Sequence, residues 1–226
     1  MQSIGVYTKK FGAGTVETLK RLRYAFYILV HPFDGFYDLK NDPRRKTVAG
    51  AVVLLVLLAI TTILRRQLLG YLFTSRYAQL NLDILFEIAV ATLPFLFWTL
   101  SNWCFTSLMD GDGKLTDIFC ATAFATLPLS ICNLLQIPVS NFVSLTEVGT
   151  YLTLASFGVV WSYTMIFIGM LVTHQYTVKK SIVTTILSII GMAVIAFIIV
   201  LIFFLIQQIA GFAISLGTEI MFRINE

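Results

Sequence analysis

Apolar residues fall into five long runs separated by short polar or basic links. The first, Thr47 to Leu64, rises about 27 Å as an eighteen-residue helix, enough for a hydrocarbon core of roughly 30 Å when the flanking Arg side chains snorkel. The second extends from Ile84 to Met109, with Glu87 near its start, Asn102-Trp103 near its end and Pro94 between them predicting a kink. After the turn-forming link Asp110-Gly111-Asp112-Gly113-Lys114 comes a third run, from Asp117 to Ile137, with Asp117 in its first turn and Pro128 in its middle. Tyr151 to Thr173 and Ile182 to Ile206 complete the set. This pattern predicts an all-α, polytopic helical membrane protein with about five transmembrane helices and an N-terminal amphipathic cytoplasmic segment.

Ahead of the first run, Val16, Leu19, Leu22, Phe26 and Leu29 recur at helical spacing, with Lys20, Arg21 and Arg23 on other faces. That spacing predicts an interfacial helix ending at His31-Pro32, because the residue before proline disfavours the α region. A second short piece, Phe33 to Lys40, follows, and Arg44, Arg45 and Lys46 form a basic fence before the membrane. Three parts result: residues 1–46 as the cytoplasmic segment, residues 47–206 as the membrane domain, and residues 207–226 as a short amphipathic tail. Residues 67–82 fit either a re-entrant dip or a surface segment.

Composition agrees with that picture. The chain is 58% hydrophobic and 12% charged, against roughly 45–50% and about 25% in soluble domains, so water cannot be the solvent for most of its surface. Nine of the sixteen Lys and Arg residues precede the first span. This juxtamembrane placement suits the anionic headgroups of a lipid bilayer, with Lys20, Arg21, Arg23, Arg44, Arg45 and Lys46 at the surface, and argues against nucleic acid. Twelve basic residues fall on the N-terminal side of a five-span chain and four on the other. The imbalance predicts a multi-pass cell-membrane protein, N-terminus cytoplasmic and C-terminus opposite, with Arg65-Arg66 against the local bias. The N-terminus stays polar for more than twenty residues, so insertion is expected to use the first span itself.

The sharpest chemical pattern lies in the third run. Thr122, Thr126, Ser130, Asn133 and Gln136 recur at steps of four and three and share one helix face. Such a face either packs against another helix or lines a hydrated path. Ala121 and Ala125, a small pair four apart, favour packing. Glu87 is the acidic residue placed inside an apolar run, which makes it a candidate proton or ion site, although one turn from Asp83 it can also reach the interface. Cys104, Cys120 and Cys132 lie singly within apolar runs as small core residues, and His31 and His174 stand isolated at span boundaries. With no hydrolase, metalloprotease or P-loop motif, the expectation is a protein without catalytic residues, metal or cofactor.

Two stretches carry a resemblance. Val30-His31-Pro32-Phe33-Asp34-Gly35-Phe36-Tyr37-Asp38-Leu39-Lys40 looks like the pre-membrane segment of bacterial, Gram-positive-type members of the Yip (Ypt-interacting protein) domain family of five-span membrane proteins. Gly111-Asp112-Gly113-Lys114 through Asp117, followed by Ala121, Ala123, Ala125 and Leu127-Pro128, is similar to that family's glycine-rich turn and alanine-rich third helix. Eukaryotic members resemble one another in acting as scaffolds for small GTPases and vesicle traffic, with long cytosolic N-terminal regions, whereas this chain has about 46 residues there. For a bacterial member the resemblance implies an accessory role beside another membrane protein, such as an ABC transporter subunit, and it brings no catalytic residue. The expected function is therefore a non-enzymatic membrane adaptor or accessory protein. A small-solute or ion transporter using the polar face of the third span is the alternative.

Overall fold

The computed structural model describes residues 23–42, 48–70 and 83–224. Residues 23–30 are helical and turn at His31 into α1 (Pro32–Asn41), where Pro32 occupies the first helical turn that its missing N–H suits. Four further elements build the bundle body: α2 (Val48–Gln67), α3 (Ile84–Leu108), the pair α4 (Leu115–Ala125) and α5 (Leu127–Phe142), and α6 (Val148–His174). The last helix, α7, runs from Val178 to Ile224. Five helical segments are long and apolar enough to span a membrane, with α4 and α5 counting together as one. No strand occurs among the described residues.

The third span sits at the centre, touching α2, α3, α6 and, through α4, α1. Its residues explain why. Cys120, Ala121, Ala123 and Ala125 are all nearly inaccessible, and small side chains let neighbouring backbones approach closely where lipid offers no hydrophobic drive. Pro128 divides it: the N–H of Thr126 reaches back only to Ala123, a tightened turn, and Leu127-Pro128 then open α5. Pro94, by contrast, leaves α3 a single helix from Ile84 to Leu108.

Three sequence expectations change. The N-terminal hairpin is not merely laid on a surface, because Ala25, Ile28, Phe36 and Leu39 are buried in the core, while Phe26, assigned to the apolar stripe, is exposed. The buried face is rotated because α4 and α6 offer a protein surface there, and Tyr24 closes the hairpin by donating to the carbonyl of Gly35 at 2.7 Å. Secondly, α2 extends past Leu64 to Gln67, placing Arg65 and Arg66 in the last helical turn, where cations complement the helix dipole. Thirdly, residues 207–226, expected as a separate tail, continue α7 unbroken to Ile224. Gln207 and Gln208 are good helix formers, and isolated Gly211 and Gly217 each cost only about 1 kcal/mol, too little to break a long helix. At 47 residues α7 is about 70 Å long, more than twice a hydrocarbon core of roughly 30 Å.

Candidate functional site

Polar side chains gather at the two ends of the bundle body. At the end where α2 finishes and α3 begins, Arg66 forms an ion pair with the buried Glu87, and Arg65 donates from Nη1 to Oε1 of Gln136 at 3.1 Å. One turn nearer the centre, Asn133 donates from Nδ2 to Oγ1 of Thr62 at 3.2 Å. Beyond the helix, the Gly70 N–H donates to the hydroxyl of Ser140 at 3.0 Å, and Asn141 donates to the carbonyl of Leu68 at 3.1 Å. These bonds tie the end of α2 to α3 on one side and to α5 on the other.

All five residues of the predicted stripe are buried, from 0% exposure at Thr126 to 4% at Thr122. Asn133 and Gln136 face α2 through the bonds just given. Thr126 and Ser130 donate to helix carbonyls three and four residues back, at 2.8 and 3.3 Å, which keeps their hydroxyls satisfied while the small side chains lie between helices. Thr122 borders a cavity of about 10 Å³ shared with Asn102 and His174, at the threshold for a single water. Glu87 lies at the interfacial end of α3, where its partner Arg66 retains 35% side-chain exposure. Of the basic surface residues, Arg23 is exposed, while Lys20, Arg21, Arg44, Arg45 and Lys46 lie outside the described residues, as does 71–82 of the segment read as re-entrant or superficial.

The opposite end holds a network that the sequence reading left as isolated residues. Helices α3 and α6 both finish in a residue of left-handed conformation, Asp110 (φ 53) and Gln175 (φ 54). After α6 the Tyr176 and Gln175 N–H groups bond to Leu171 and Val172 carbonyls, a Schellman pattern that folds Tyr176 back over the helix end. There the Tyr176 hydroxyl donates to the Met109 carbonyl at 3.0 Å, satisfying a terminal carbonyl of the neighbouring helix. Burial, then the carboxylates of Asp110 and Asp112, raise the Tyr176 phenol above its ordinary value, so it remains a donor.

His174 is 2% exposed and lies between these elements. The Gly113 N–H donates to its Nδ1 at 3.3 Å, so Nδ1 is the acceptor and Nε2 carries the proton, directed at Oδ1 of Asn102 3.2 Å away. Asn102 in turn donates from Nδ2 to Oγ of Ser188 at 3.3 Å and to Sδ of Met170 at 2.8 Å. One chain of neutral hydrogen bonds thus joins the 110–114 turn, α6, α3 and α7. A β-carbon at Gly111 or Gly113 would come within 2.7 or 2.6 Å of the imidazole, so the turn approaches this closely only with glycine. Asp117 accepts the Lys114 N–H at 3.0 Å, which fits its expected place in the first turn of the third span.

The signal for this second network was present. Ser101 donates to the Ser188 carbonyl at 2.6 Å, and Ser181, Thr184 and Ser188 are fully buried at helical steps of three and four, the rule applied only to the third span. Among the described residues no three His, Cys, Asp or Glu side chains converge as metal ligands would. The arrangement can hold helices in register and fix a turn against them. No curated protein and no solved structure matches the chain. The family model for the Yip1 domain does, over residues 26–202, a range that contains both polar ends and most of the N-terminal hairpin. A five-span helical body built around an alanine-rich central helix, matched over most of its length, places this chain in the Yip1 domain family.

Proposed function

We propose that this protein is a non-enzymatic membrane adaptor or accessory subunit, inserted in the cell membrane with its N-terminus cytoplasmic, that holds another membrane protein such as an ABC transporter component. The observation that carries this reading is where its polar side chains go. Glu87, Asn133, Gln136, Asn102 and His174 each bond to a named neighbour within the chain, which leaves lipid-facing and N-terminal surfaces for a partner. On the hairpin, Phe26, Tyr27, Val30, Phe33 and Tyr37 stay exposed beside Arg23, an aromatic and basic surface at headgroup level. The transporter alternative needs the stripe to face water, whereas its buried amides bond to α2.

Affinity purification in mild detergent from native membranes tests the proposal. A permease or ATPase subunit retained at one-to-one stoichiometry, and lost after Phe26→Ser and Phe33→Ser, is the expected result. A chain that purifies alone from several detergents, or that conducts solute in liposomes until Asn133→Leu stops it, would count against it.

A further inference from the structure

The protein has an apolar cleft at membrane depth whose lining comes from three helices. Helix α7 packs along α3 far more than along α6, and the resulting gap is a cavity of about 450 Å³. Phe95 and Trp98 of α3, Ile166 of α6, and Thr185, Ile189 and Met192 of α7 wall it. The Thr185 hydroxyl already donates to the Ser181 carbonyl at 2.7 Å, so even this wall position presents hydrocarbon. Ligand cavities measure about 300–1,000 Å³, which places this one far beyond a packing defect.

Depth and charge indicate the occupant. Lys179 and Lys180 stand at the start of α7, Lys179 exposed and Lys180 with its ammonium 4.3 Å from the centre of the Tyr176 ring. Thr185 lies five residues beyond Lys180 and Met192 twelve, or about 8 and 18 Å along the helix. One leaflet of hydrocarbon is about 15 Å deep. The cleft therefore begins just beneath a basic headgroup-level pair and ends near the bilayer midplane, the reach of one acyl chain whose phosphate stays at the surface. A partner helix, about 10 Å across with its side chains, could press only a single knob into a recess closed behind by α3.

We infer that this cleft is a phospholipid site: one acyl chain occupies the space between α3, α6 and α7, and the lipid phosphate meets Lys179 and Lys180. Bound lipid there completes the packing that α6 and α7 make only sparsely between themselves.

Trp98 reports on the site because it lines the cleft and is 9% exposed, so chains of the surrounding bilayer touch it little. Full-length protein carrying Trp103→Phe and Trp161→Phe would be placed in phosphatidylcholine vesicles with increasing brominated phosphatidylglycerol. Quenching of Trp98 should saturate at low mole fraction of the brominated lipid. The saturable part should vanish in Ile189→Phe, which fills the cleft, and Lys179→Gln should raise the half-saturating fraction about fivefold. Met192→Phe, at the deep end, serves should Ile189→Phe fail to fold. Quenching that rises linearly and identically in parent and filled variants would mean ordinary bilayer solvation and overturn the assignment. So would an unquenched Trp98 with a cross-linked dimer that Ile189→Phe abolishes, since a second copy would then occupy the cleft.

Discussion

The third span and the last helix are both strongly apolar, yet the protein treats them oppositely. Of the most apolar stretch of Leu115–Phe142, 72% is buried within the protein, whereas the corresponding share of α7 is 6%. Mean hydropathy differs between them, 1.8 against 3.4, but it does not by itself set burial: Ile84–Leu108, also at 1.8, is only 28% buried, because in a bilayer both protein interior and lipid are apolar. Side-chain size and polarity do. The third span carries Cys120, Ala121, Ala123, Ala125, Ser130 and Asn133 on its buried surface, while α7 beyond Ala193 presents Phe197, Phe203, Phe204 and a series of Ile and Leu residues outward. Small and hydrogen-bonding residues mark the inside of a membrane protein, and large branched or aromatic ones mark its lipid face.

Charge sharpens that contrast most. Glu87 is buried in the bundle body and paired with Arg66, whereas Glu219 and Arg223 pair at 3.0 Å on the open surface of α7. Arg66→Leu leaves a buried carboxylate without its cation and should destabilise the protein by about 3–5 kcal/mol, the range for a broken buried pair. Glu87→Leu should cost less, because Arg66, 35% exposed, can turn to the interface. Combining the two substitutions should recover much of the Arg66→Leu loss. Arg223→Leu should be indistinguishable from the parent. Unfolding in mixed micelles followed by tryptophan fluorescence measures all four, and a double variant as unstable as Arg66→Leu would show that something other than the stranded carboxylate is responsible.

The same distinction explains what the sequence made legible. Five spans, the approximate limits of the first four and the buried face of the third followed from hydropathy and period, since both depend on local composition. The hairpin face did not: Ala25 and Ile28 are buried and Phe26 exposed because α4 and α6 supply a surface that no local pattern encodes. His174 and Asn102 lie 72 positions apart and meet only once two helix ends cross, so each looked isolated alone. Arg65-Arg66 looked like a violation of the charge bias, and their partners Gln136 and Glu87 supply a packing role that residue counting cannot see.

Volume gives the next test. Ala123 is fully inaccessible, so Ala123→Leu must force three further carbons between α4 and its neighbours, at about 1–3 kcal/mol. Ala210→Leu, the same change on exposed α7, should leave the unfolding midpoint unaltered. Equal effects at the two positions would remove the distinction between an inner and an outer span.

The smallest difference is the most informative about the stripe. Asn133→Leu removes one interhelix hydrogen bond, worth on average about 0.6 kcal/mol inside membrane proteins. The loss stays small because Thr62 keeps its own bond to the Leu58 carbonyl at 2.8 Å and is not orphaned. Gln208→Leu on exposed α7 has no interhelix bond to lose and should not destabilise at all. If Asn133 instead faced a water path, Leu at that position would leave stability nearly unchanged and stop flux in liposomes. Stability and flux measured together on this one variant therefore distinguish a helix seam from a channel wall, because each role predicts a change in the quantity the other leaves alone.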